Sequence, residues 1–122
     1  MNKVLIVEDS DLLEDMLECT DLFFEDTAVE FISADNLEEA IEAVLNNQLF
    51  AIILDGNLTS GDISGSDGEE IAKKALGLNP ELRIIGFSAS GFMNPEFWKS
   101  DQHFNSRKDY MLAFKKLAEW LA

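Results

Sequence analysis

Three acidic side chains stand where apolar runs stop. Glu8 and Asp9 follow residues 4–7, and Asp55 follows residues 50–54. Ser88 follows residues 83–87, and Arg107 and Lys108 close a weaker segment around His103, Phe104 and Asn105. If each run is a strand and the strands lie parallel, three carboxylates, a hydroxyl and a cation converge on one edge. Two unit charges about 4 Å apart repel by roughly 4 kcal/mol at an effective dielectric near 20. Three carboxylates together therefore call for a proton or a cation. Mg²⁺ prefers near-octahedral oxygen coordination from one or two carboxylates, waters and a phosphate oxygen. Beside such an ion Asp55 has the chemistry of a nucleophile toward a phosphoryl group, giving an acyl phosphate. The metal and a lysine would stabilise the charge spread over the equatorial oxygens.

The elements that must carry these groups are legible in the pattern. Residues 4–7, 29–32, 50–54 and 83–87 are short, apolar and bounded by polar or turn residues, as buried strands are. Continuous apolar runs suit a parallel sheet covered on both faces. Helical spacing links Leu12, Leu13, Met16, Leu17, Thr20, Phe23 and Phe24, then Leu37, Ala40, Ile41 and Val44, then Ile71, Ala72, Ala75 and Leu76, and finally Tyr110, Met111, Phe114, Leu117, Ala118 and Leu121. Asn36 with Glu39 and Ser66 with Glu69 read as N-terminal capping pairs. Gly77 fits a position just past a helix end, with Pro80 beyond. Alternating strands and helices predict an α/β fold with right-handed crossovers. Such sheets bind ligands beyond the carboxyl ends of their strands.

At 122 residues and 47% hydrophobic content the chain is one ordinary domain able to bury its own core. The net charge is −15, and no Lys or Arg occurs between Lys3 and Lys73. That surface repels nucleic acid and anionic lipid, and favours a cation or a basic patch on a partner protein. The single cysteine, Cys19, lies in an apolar helical pattern and reads as a small core residue. The apolar residues after Lys3 are too few for a secretory leader, and no window reaches membrane-spanning length. A soluble cytoplasmic protein is the expectation.

The pieces Val4-Leu5-Ile6-Val7-Glu8-Asp9-Ser10, Ile52-Ile53-Leu54-Asp55-Gly56-Asn57-Leu58, Asp67-Gly68 and Phe87-Ser88-Ala89 occur in that order. With them the chain resembles the receiver domains of bacterial response regulators, the CheY-like family, over essentially its whole length. The resemblance implies a doubly wound, five-stranded parallel sheet in the order 2-1-3-4-5 with helices on both faces, formed by residues 1–122. It gives Asp55 the places of the phosphoacceptor and of a Mg²⁺ ligand, Glu8 and Asp9 that of the acidic metal pair, and the backbone carbonyl of Asn57 that of a further Mg²⁺ ligand. Ser88 takes the place of the hydroxyl that bonds the phosphoryl group. A sensor histidine kinase or phosphotransfer protein would supply that group, and a downstream effector protein would read the result, with a homodimer as a further arrangement. The domain would hydrolyse its own acyl phosphate and not act as a turnover enzyme. With the sequence stopping after the last helix, the expectation is either a stand-alone receiver with no DNA-binding output domain or a receiver excised from something longer.

Several positions depart from the family pattern. A lysine followed by proline is usual after strand five; here Arg107 and Lys108 both compete and Asp109 follows. Counting from Phe104 favours Arg107, whereas the compact ammonium of Lys108 suits a phosphoryl oxygen better, and the balance falls slightly to Lys108. Thr59 stands near the usual proline after Asp55, and the stretch from residue 59 to 66 is longer than usual. The segment after Ser88 is shorter, so the fourth helix should be short or irregular, begun by Asn94 and Pro95. Asp9 could instead cap the first helix, Phe104 could be core, not a switch, and His103 reads as a solvated edge residue. Phe97 and Trp98 fit either packing or a docking surface. These departures motivate a second reading, a pseudo-receiver that docks or dimerises without phosphorylation. A phosphatase of the haloacid dehalogenase type is faintly echoed in residues 55–59, but Asn57 stands where the second, acid/base aspartate is needed.

Overall fold

The computed structural model describes residues 1–56, 58, 66–88 and 92–122. Ten elements follow in order: β1 (Asn2–Val7), α1 (Leu12–Phe23), β2 (Val29–Ala34), α2 (Leu37–Asn46), β3 (Ala51–Leu54), α3 (Ser66–Leu78), β4 (Arg83–Gly86), a 3-10 turn (Pro95–Lys99), β5 (His103–Asn105) and α4 (Tyr110–Leu121). The sheet is parallel throughout, in the order β2-β1-β3-β4-β5.

Strand side chains alternate between faces, so one apolar run feeds two cores. Leu5, Val7, Ile52, Leu54 and Ile84 pack beneath α2 and α3. Val4, Ile6, Ala51, Ile53, Ile85 and Phe87 pack beneath α1 and α4. This double burial is why β1 and β3 read as unbroken hydrophobic segments. No helix of the described residues is long and apolar enough to cross a membrane.

Helix ends follow local chemistry with two corrections. Asn36 accepts from the Glu39 amide at 2.8 Å, as its sequence position predicts. Ser66, read as a cap, is the first residue of α3. Gly77, read as lying past the helix end, is inside α3, because the Asn79 amide still donates to Ala75 O at 2.9 Å.

Between β4 and β5 the described residues make one helical element, the five-residue 3-10 turn. Asn94 caps it through the Phe97 amide at 3.1 Å, and Pro95 opens it. Aromatic packing fastens the turn. Trp98 lies over Gly86, where an added Cβ would sit 2.6 Å from Trp98 Cη2, and its Nε1 donates to Phe92 O at 3.0 Å. Phe97 stacks on His103 with centroids 3.9 Å apart. Phe97 and Trp98 are therefore half-buried packing residues. His103 is also half-buried, not solvated: Nδ1 meets Phe97 O at 3.1 Å, Nε2 is buried without a hydrogen-bond partner among the described residues, and burial pushes the imidazole pKa down.

A candidate phosphoryl and metal site

Register puts the functional side chains in one row. Val7 pairs with Leu54, Leu54 with Gly86, and Gly86 with Asn105. The ladder continues one step further, with Asp55 N donating to Val7 O at 2.9 Å and Phe87 N to Leu54 O at 2.8 Å. Glu8, Asp55, Phe87 and Ser106 thus leave the sheet side by side, with Ser88 next along its strand. This edge is where β1 and β3 part toward opposite directions of winding, the place such sheets reserve for ligands.

Glu8 is 0% exposed and Asp55 3%, while Asp9 is exposed. One carboxylate oxygen from each lies within 4.8 Å of the others. Glu8 uses both oxygens. Oε1 accepts from the Ser10 hydroxyl at 2.8 Å and the Ser10 amide at 3.2 Å, and Oε2 accepts from Lys108 Nζ at 2.8 Å. The same ammonium lies 3.4 Å from Asp55 Oδ2 and 4.8 Å above the Phe87 ring. Buried carboxylates are tolerable only when bonded in this way.

Of the two candidate cations, Lys108 is the one brought to the carboxylates, and backbone geometry explains why. Asn105 Oδ1 accepts from the Arg107 amide at 3.0 Å, and Arg107 takes the left-handed φ of 56°. The chain reverses there, leaving Arg107 exposed and returning Lys108 to the cluster. Asp109, where the family has proline, caps α4 by accepting from the Leu112 amide at 3.0 Å.

Ser88 is buried, at the position after Phe87. Asp9 does not cap α1; the Ser10 hydroxyl accepts from the Leu12 amide at 3.2 Å instead. Phe104 is half-buried against the α1/α4 core. Asn57, assigned a metal-ligand carbonyl, lies outside the described residues, as do Ala89 and Thr59. Sequence reading missed Ser10 as the partner of Glu8. Its signal was present, since a hydroxyl two residues after an acid at a strand-to-helix junction can reach back to it.

The electrostatics suit a divalent cation. One ammonium faces three carboxylates, leaving two formal negative charges among the described groups. The donors are all oxygen, which matches Mg²⁺. Partial burial, and then the charge of Glu8, push the Asp9 carboxyl above its ordinary value; its own amide, Lys108 and Asp55 pull less strongly the other way. A raised folded-state value means that Asp9 favours the fold most below its unfolded pKa and loses that contribution as pH rises through the folded value. Asp9→Asn should therefore raise the melting temperature at neutral pH without Mg²⁺ and reduce the stabilisation that Mg²⁺ confers. Thermal melts with Mg²⁺ and with a chelator measure both effects.

The architecture is the fold of response regulator receiver domains of the CheY-like type. A receiver domain from Methanospirillum hungatei JF-1 superposes with a TM-score of 0.68 at 21% identity, covering 99% of this chain and 94% of that one. Response regulator TrrA from Thermotoga maritima, solved in complex with Mg²⁺-BeF, gives a TM-score of 0.65 at 20% identity over 99% and 100% of the two chains. A crystal structure of histidine kinase ThkA in complex with TrrA gives 0.68 at 22%, covering 100% of each chain. No family profile and no curated protein sequence matches this chain.

Proposed function

We propose that residues 1–122 act as the phosphoacceptor receiver of a cytoplasmic two-component phosphorelay, with Asp55 as acceptor. The observation that carries this reading is the deficit of two positive charges where three carboxylates, two of them buried, gather around Asp55 with one ammonium. The solved relatives bound to Mg²⁺-BeF and to a histidine kinase support it by fold.

In the reaction an Asp55 carboxylate oxygen attacks the phosphorus of a phosphohistidine on a sensor kinase or phosphotransfer protein. The O–P bond forms, the P–N bond breaks, and the departing imidazole recovers its electron pair and takes a proton. Glu8, Asp9 and Asp55, with the carbonyl that the family resemblance assigns to Asn57, would hold Mg²⁺, which would supply electrostatic stabilisation of the transferring phosphoryl oxygens. Lys108, already at Asp55 Oδ2, places a fixed positive charge beside the forming bond. Ser88 offers its hydroxyl to the phosphoryl group, and its movement would alter the β4–β5 surface that an effector protein reads. Water later hydrolyses the acyl phosphate, so the domain resets itself without turning over a substrate.

Lys108 also favours a second reading. A cation already seated between Glu8 and Asp55 compensates part of the cluster without metal, as a phosphorylation-independent docking or dimerisation module would require. Incubation with a small acyl phosphate and Mg²⁺, followed by intact mass measurement, separates the two. A receiver gains one phosphoryl mass and fails to do so when Mg²⁺ is chelated. A docking module remains folded and unmodified.

A further inference from the structure

We infer that Asp67 is a positioning residue of the phosphoryl site, clamping the chain that leaves Asp55; this rests on the receiver reading above. Asp67 is 8% exposed, an unusual place for a carboxylate unless it is bonded. Its Oδ2 accepts the Leu58 amide at 3.1 Å. The next residue, Gly68, donates its amide to Gly56 O at 3.0 Å. The first turn of α3 therefore grips the backbone at residues 56 and 58, immediately beyond the proposed nucleophile.

The fit between the two segments is close. A Cβ at Gly68 would lie 2.7 Å from Gly56 Cα and 3.0 Å from Asp55 O, so α3 rests on the acceptor's own backbone. Phe92 closes the other side, 2.8 Å from where a Gly56 Cβ would be.

Helix capping does not account for the Asp67 bond. An acid in a first turn ordinarily serves its own helix, by bonding the helix's free amides or through the dipole. Leu58 is not part of α3; its amide belongs to the segment leaving β3. The bond crosses nine residues of sequence and ties the end of one strand to the start of the helix that follows it. Displacement of a reacting group by about 1 Å can cost about 100-fold in rate. Freeing this segment should thus slow phosphoryl uptake more than it weakens the fold.

The test uses the full chain, a small acyl phosphate and Mg²⁺, with uptake followed by intact mass. Asp67→Ala and Asp67→Ser, whose hydroxyl is one bond too short, should slow uptake at least 10-fold under conditions where circular dichroism shows them folded. Asp67→Asn keeps an acceptor oxygen at the same reach and should stay within about threefold of the parent. Hydrogen exchange at the Leu58 amide, slow in the parent, should accelerate in the alanine and serine variants and not in the asparagine variant. Uptake by folded Asp67→Ala at the parent rate, or equal slowing in Asp67→Asn, overturns the inference. If neither truncated variant folds, a fast-exchanging Leu58 amide in the parent overturns it. A parent protein that takes up no phosphoryl group overturns the functional reading and the positioning role with it, whereas an active parent matched by Asp67→Ala removes only the role of Asp67.

Discussion

Lys108→Ala is expected to melt roughly 10 °C below the parent when Mg²⁺ is chelated. The ammonium is bonded at 2.8 Å to Glu8 and lies 3.4 Å from Asp55, both buried. Removing one partner of a buried pair costs about 3–5 kcal/mol, because the remaining charge stays desolvated. The Lys108 side chain is 34% exposed, so water screens part of the interaction and a smaller cost, about 2–3 kcal/mol, is expected. Mg²⁺ should recover more stability in this variant than in the parent, since it binds a cluster with no competing cation. At a concentration of 100 times its Kd a ligand adds about 2.7 kcal/mol. Melting curves of the two proteins across a Mg²⁺ series measure the difference. An unchanged melting temperature would mean that the lysine does not neutralise the carboxylates in solution.

Asp55→Ala is expected to abolish phosphoryl uptake, with a loss of at least about 1,000-fold, since covalent capture has no substitute nucleophile. The variant should stay folded. Glu8 keeps both its bonds to Ser10 and its pair with Lys108 when Asp55 is removed. Loss of one carboxylate also lowers repulsion within the cluster. Kinetics by intact mass, with circular dichroism as the folding control, separate a missing nucleophile from a missing fold. Uptake that persists in this variant would place the acceptor elsewhere.

The acidic half of the site was legible because each acid ends a fully apolar run, and parallel register then carries residues 8 and 55 to the same edge. The choice between Arg107 and Lys108 was legible only as a slight preference for Lys108 from residue chemistry, and Lys108 is the one whose ammonium lies at the carboxylates. Both are cations, and the left-handed backbone at Arg107 that separates them comes from the Asn105 side chain and the exit from β5. The short turn after β4 could be read from Asn94 and Pro95, yet its anchorage could not. The seating of Trp98 over Gly86 joins residues with no periodic relation. Gly77 misled because glycine and a nearby proline signal a helix end only to within a residue or two. Asp67 stood in a motif without an evident partner, since its partner is the backbone of a different element.

Reduction of the acyl phosphate with borohydride offers the most direct measurement. The reagent converts a phosphorylated aspartate to homoserine, a stable mark that peptide mass spectrometry can locate. After exposure to a small acyl phosphate and Mg²⁺, homoserine is expected at position 55 and absent when Mg²⁺ is chelated. Folded, Mg²⁺-binding protein with no homoserine, or with the mark at another acid, would contradict the assignment of Asp55 as the phosphoacceptor.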